Sequence, residues 1–503
     1  QVSRRVSESY RCGVYLAVMS DGRHTHRNFV PPRFRAPAVA LHDVALRLHA
    51  LTVARAAACA AARAMSLTVA LAVALAALLV APAALHAQGR STLVVEGADR
   101  LEGRVVGDMN FRELVGNVRL RQDNVLIRCD RATQNLTRNS AQLSGNVVIT
   151  QDTLTMRTES GTYDGDTRTA SSNRGIYIND GHVVLRARTG SYRAETKVAD
   201  FRTEVTVEDT AAVITSSRLH YQRDSALIVA WDDVRIRFKN ENAVITADSV
   251  RHYSDLKHSY FYNDPRLWQV DTTRHMLDDA EDDSLSFDTL SIAAQRMTAF
   301  RDSSNRFLNK GNVRIVRSAL AALCDDAAFL RADSLMILRG APVLWYDENQ
   351  ITGDSIAARV VAGELRALDV TGNAFSISRS KPSEQDSLYP PGRFDQTKGK
   401  RIHMRFEDKK PTRIRVEETA ISLYYVYDER ALNGVRRESS DLIIIDFEDG
   451  KVQTIRSMNG VEGIYYPEKY VTGEEASYNL DGFLWRDDRP TMPPYPAALP
   501  SVD

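Results

Sequence analysis

Between Gly116 and Asp130 the chain reads GNVRLRQDNVLIRCD, and apolar and polar residues alternate along it. Val118 and Leu120 share one face, Arg119 and Arg121 the other. After the polar turn Gln122-Asp123-Asn124, Val125, Ile127 and Cys129 take over the apolar side, with Leu126 and Arg128 opposite. A period of two marks a strand with one buried face, so this stretch predicts two short strands joined by a turn. The sentence is then written again. GNVVITQDTLTMRTE, Gly145 to Glu159, starts 29 residues later and repeats Gly, Asn, Val, Gln, Asp and Arg in place. Val147, Ile149, Leu154 and Met156 occupy its apolar positions. In the weaker copy GIYINDGHVVLRARTGSY, Ile176, Ile178, Val183 and Leu185 again fall on one face, and Gly311 to Gly340 is again 29 residues.

A lone unit of this kind cannot cover its apolar face, whereas stacked neighbours make one continuous core. The expected fold is all-β: an elongated β-roll or solenoid built from two-strand repeats of about 29 residues, apolar inside and polar outside. The repeats run over residues 90–380. Strand formers continue through 401–485 in RIHMRFED, ISLYYVYDE and DLIIIDFEDG. Two stretches interrupt the rhythm. HMLDDAEDDSLSFD, 275–288, predicts an acidic loop or short helix, and the polar, proline-bearing 381–400 predicts a linker. The proline-rich end, 486–503, is expected to be disordered.

Composition changes this picture at the front of the chain. The net charge is +0, yet residues 1–87 hold ten Lys and Arg against three Asp and Glu, leaving 55 basic and 62 acidic residues beyond. That mildly acidic body gives no basis for nucleic-acid binding. Residues 65–87, MSLTVALAVALAALLVAPAALHA, read as a secretory signal cut after Ala87, with an uncleaved anchor as the alternative. Residues 1–64 show no organised pattern and read as a non-native upstream extension. Beyond the signal only Cys129 and Cys324 remain; in a stacked array they lie several strands apart, so both are expected unpaired and buried.

Candidate chemistry is thin. The six histidines after the leader, His182, His220, His252, His258, His275 and His403, form no metal or catalytic motif. The run Asp278–Asp283 lacks calcium-loop spacing, and DFEDG, 446–450, reads as a hairpin turn. Asp164 and Asp166 in YDGDTR suit a turn better than a glycosidase pair. The expectation is a protein that is not an enzyme and holds no cofactor or metal. What remains is the repeated apolar face, which either fills a closed core or lines a trough open along one edge. The residues that would line it are Val118, Leu120, Val125, Ile127, Val147, Ile149, Leu154, Met156, Ile176, Ile178, Val183 and Leu185.

The repeats GNVRLRQDNVLIRCDRA and GNVVITQDTLTMRTESGTYD resemble the OstA-like (organic solvent tolerance) family, which includes periplasmic bridge proteins of the LptA type and the N-terminal part of the LptD translocon. Gly116-Asn117-Val118, Gly145-Asn146-Val147, Gly311-Asn312-Val313 and Gly161-Thr162-Tyr163 carry the resemblance, which covers residues 95–380 best. It implies an open β-jellyroll whose trough shields lipopolysaccharide acyl chains in the periplasm, between inner and outer membrane. It also implies partners joined by edge-strand pairing, either other Lpt-type components or a second copy head to tail. No run of barrel strands follows, which disfavours a complete translocon. The competing expectation is a structural or adhesive exported solenoid with a closed core and no lipid.

Overall fold

Gly116 and Asn117 do not start a strand; they bend one. In the computed structural model both sit at positive φ, 75° and 47°, in the middle of the strand Met109–Gln122. Its ladder with Val125–Asn135 slips there, between Val115 and Val118. Such a bulge turns the strand sharply, so its first half joins one sheet leaf and its second half another. The same corner recurs at Gly145-Asn146, Gly311-Asn312 and Gly372-Asn373. Each of the three corners that pair Asn with Asp is tied by an amide to a carboxylate of the preceding strand: Asn117 to Asp99 at 3.0 Å, Asn146 to Asp130 at 2.9 Å, Asn373 to Asp354 at 3.1 Å. The glycine is required twice over. Its φ favours a residue without Cβ, and a Cβ on Gly145 would meet the Asp130 carboxylate at 2.4 Å.

The expected pair of short strands per repeat is therefore corrected to a hairpin of two long strands, each folded at its middle. Elsewhere Thr203-Glu204, Asp232-Asp233 and Glu418-Thr419 make the same corner, which is why the written motif fades while the fold continues.

The structure describes residues 91–496, apart from 240, 276–283, 362, 384–388 and 449–450. The signal sequence, the upstream extension and the acidic run Asp278–Asp283 lie outside the described residues. Among the described residues thirty strands form one antiparallel sheet, folded into two facing leaves. The leaves meet along the corners and part at a mouth made of hairpin turns. One apolar cluster runs between them from Leu93 to Ile445. The stretch expected as a linker holds the start of the strand Phe394–Glu407, which pairs with Glu364–Arg379 from Arg379 opposite Phe394 to Ala367 opposite Arg405. The array is continuous through it. Cys129 and Cys324 are buried and unpaired, each opposite the Val of a corner, Val118 or Val313. Burial pushes their thiols up to about 11 and about 12, so neither is a nucleophile at neutral pH.

The outer surface is not polar throughout. On the outer face of the first leaf, the one that takes the second half of Met109–Gln122, Trp268, Ala321, Val343 and Trp345 are buried. The chain end covers this row. Gln396 holds Asn479 and the Leu480 N–H; Gln350 holds Leu484 and Arg486 backbone groups. Arg489 donates to the carbonyls of Asp347 and Ala319, at 2.6 and 2.7 Å, and Tyr495 meets Trp268 edge to face. Residues 486–496, expected to be disordered, are a strap. Proline removes the N–H groups that would otherwise need partners, and two arginines with one tyrosine supply the anchors.

Candidate binding cleft

All twelve residues expected to line a trough point into the space between the leaves, and all are at most 3% exposed. The structure brings them together as a sealed core rather than an open lining. What seals it is a polar ladder across the mouth. The Tyr163 hydroxyl donates to Gln122 Oε1 at 2.9 Å, and Tyr192 donates to Gln151 Oε1 at 2.7 Å. Tyr221 donates to the Asp180 carboxylate. Each bond spans 41 residues and joins one leaf to the other. The amides finish the job: Gln122 donates to the carbonyl of Gly165 at 2.7 Å, Gln151 to that of Ala194 at 3.0 Å. Burial pushes the Tyr192 phenol up to about 12 and Tyr163 and Tyr221 higher still, so all three remain proton donors. Ion pairs at the turns add to the ladder, Arg168 with Asp123 at 2.8 Å and Arg301 with Glu241 at 2.9 Å.

Sequence reasoning missed these latches. The Gln-Asp turn and the Gly-Thr-Tyr segment were both visible as motifs, and their recurrence at one separation was the available signal. A buried hydroxyl hydrogen bond contributes about 1 kcal/mol net, and the abandoned Gln oxygen costs more. The double variant Tyr163→Phe, Tyr192→Phe is therefore expected to lose about 2–4 kcal/mol of stability, read as a lower urea midpoint. A loss below about 0.5 kcal/mol, within the range of a neutral surface change, would show that the ladder does not hold the leaves.

The mouth opens further along. Strands Arg266–His275 and Ser284–Ala293 pair along their whole length, His275 opposite Ser284. The second leaf answers with only His258–Tyr262 and Arg296–Phe300. The first leaf thus overhangs the edge, and no latch crosses from it beyond Arg331 with Glu241 and Gln269 among the described residues. A cleft of about 810 Å³ results. Leu267, Leu290, Ile292, Ile315, Phe307, Phe329, Met336 and Leu365 form its floor and walls; Gln269, Asp271, Asp288, Arg317 and Arg331 form its rim. Arg317 is held there by Asp271 at 2.8 Å and Asp288 at 2.6 Å, and Phe287 stands at the rim, 67% exposed.

Tyr346 closes this cleft at its far end, donating across the mouth to the Lys409 carbonyl at 3.0 Å and meeting Phe406 edge to face. Beyond Tyr346 lies a second cleft of about 450 Å³.

The weighed polar candidates resolve as structure. Asp164 accepts the N–H groups of Asp166 and Thr167, both at 2.9 Å, and so caps a turn. Asp446 is clasped by Arg413 and Arg456, and their hydrogen bonds hold its carboxyl below the usual range. His220, His258 and His403 each pair with an aspartate. His252 is buried between Ser259, at 2.9 Å, and Asp209, at 3.6 Å, and the side chain of His275 is not described. No group of three or more potential metal ligands is found among the described residues.

A family model described as OstA-like protein matches residues 90–248. The crystal structure of LptH, the LptA homologous periplasmic component of the conserved lipopolysaccharide transport device from Pseudomonas aeruginosa, aligns at 12% identity. The alignment covers 29% of this chain and 95% of that one, with a TM-score of 0.22. No curated protein matches. The corners at Gly116-Asn117 and Gly145-Asn146 and the three tyrosine latches fall inside the matched stretch: residues 90–248 of this chain match the OstA-like family model.

Proposed function

We infer that the protein is a periplasmic carrier or bridge that moves lipopolysaccharide from the inner to the outer membrane through its apolar interior. The observation that carries this reading is one uninterrupted apolar cluster between two leaves, opening at the mouth into clefts wide enough for acyl chains. An acyl chain in water costs about 0.8 kcal/mol per CH₂, and a lining of Leu, Ile and Phe offsets that without covalent chemistry. The OstA-like match supports the same class of protein.

Both ends of the array support partners joined through strand edges. Among the described residues Arg100–Val106 pairs only with Met109–Gln122, and it is exposed throughout, Val105 at 70%. At the other end Lys451–Met458 and Glu462–Pro467 each pair, among the described residues, only with Ala431–Glu448. Unpaired edges of this kind accept a further strand, from another transport component or from a second copy head to tail.

The sealed half favours a second reading, a closed structural solenoid without ligand. Organic extraction of the purified protein followed by mass spectrometry separates the two. A phosphorylated, multiply acylated glycolipid in near-stoichiometric amount is expected. Protein free of acyl lipid, and unable to take it up from micelles, would overturn the carrier reading.

A further inference from the structure

The inner face changes character beyond Tyr346. In the repeats before it both leaves turn apolar side chains inward. In the last strands of the first leaf the inward positions are Ser376, Thr397 and Ser422, directly opposite one another on successive strands. Ser378, Asp395 and Tyr424 lie beside them around the second cleft. The second leaf stays apolar across the gap, with Met404, Phe406, Ile414, Ile445, Phe447 and Ile455. One wall is thus hydroxylated and the other is oily, with about 450 Å³ between them, a volume in the range of small-molecule sites.

The polar wall is satisfied only in part from within: Ser378 donates to Asn349 at 2.7 Å and Asp395 accepts the Tyr425 N–H at 2.9 Å. Ser422 is 3% exposed, and its Oγ has no hydrogen-bond partner. An unpaired buried hydroxyl is destabilising, so a folded chain keeps one where something else completes it. A bare acyl chain would leave that hydroxyl unpaired, and a free sugar would leave the oily wall wet. A molecule with both parts satisfies both walls.

We propose that the second cleft is a binding site for an amphiphile with a polyhydroxylated head, its head hydroxyls paired with Ser422 and Thr397 and its chain laid on Phe406 and Ile414. The site rests on the carrier reading and sharpens it: it is where the head of a glycolipid is recognised, whereas the larger cleft takes only chains.

Calorimetric titration of the full chain with three probes tests this: octyl glucoside below its micellar concentration, octanoate, and free glucose. The glucoside is expected to bind more tightly than octanoate, and glucose not measurably. In the variant Ser422→Ala, Thr397→Val, which keeps volume and backbone, the preference for glucoside over octanoate is expected to fall about tenfold. Octanoate affinity should stay as it was. An unchanged preference, or glucose binding as tightly as the glucoside, overturns the head-group site and leaves the carrier reading standing. Failure of both amphiphiles to bind the unaltered chain overturns both.

Discussion

A chain ending at Trp485 is expected to shift its tryptophan emission to the red and to bind hydrophobic dyes. Four tryptophans are present, and two of them, Trp268 and Trp345, are buried on the outer face beneath the strap. Removing residues 486–503 takes away the Tyr495 ring at Trp268, the Arg486 guanidinium over Trp345 and both Arg489 hydrogen bonds. Exposing two indoles, each by on the order of 100 Å², costs roughly 5 kcal/mol at about 25 cal/mol per Å². The spectral change is large because both indoles meet water. An emission maximum identical to that of the full chain would show that the strap does not cover the row.

The second large effect concerns where lipid is met. A photoreactive phenylalanine analogue in place of Phe329, in the larger cleft, is expected to crosslink added lipopolysaccharide strongly. The same analogue in place of Phe201 should crosslink little, because that ring is 1% exposed in the apolar core behind the latches. Adding Leu290→Asp to the Phe329 probe should reduce the crosslink at least tenfold, since an ionised carboxylate in an apolar cleft costs several kcal/mol. Equal crosslinking at both positions would mean that the sealed half opens as readily as the cleft. The carrier would then be a uniform trough, as the alternation of residues alone suggests.

The two experiments bear on different links of the same chain of causes. The latches hold the two leaves together, whereas the strap covers the outer face of one of them. Where Tyr163, Tyr192 and Tyr221 cross the mouth, the leaves close until apolar side chains touch. Where the first leaf overhangs, at residues 270–275 and 284–288, no latch crosses among the described residues, and the strap covers that leaf from outside. Cargo entering from the larger cleft would meet the Arg301–Glu241 pair before the tyrosine latches.

The alternation of Val118, Leu120, Val125 and Ile127, repeated at 29 residues, determined that the chain is all-β, that its strands stack, and which side of each strand faces inward. Those are local matters: side-chain direction along a strand has period two whatever the strand pairs with. The spacing of the copies also placed Cys129 and Cys324 at equivalent buried positions. Tertiary structure decided the rest. Gly116-Asn117 read as a strand start because sequence shows that a residue tolerates positive φ, not whether the ladder runs on past it; only pairing with Asp99 and Val125–Asn135 shows a corner. The twelve inward residues could not announce whether they meet each other or a cavity, because that depends on the gap between leaves. The gap is set by bonds between residues 41 positions apart. The proline-rich end read as disordered because its own composition forms no core, yet it folds against a row of tryptophans that another part of the chain supplies.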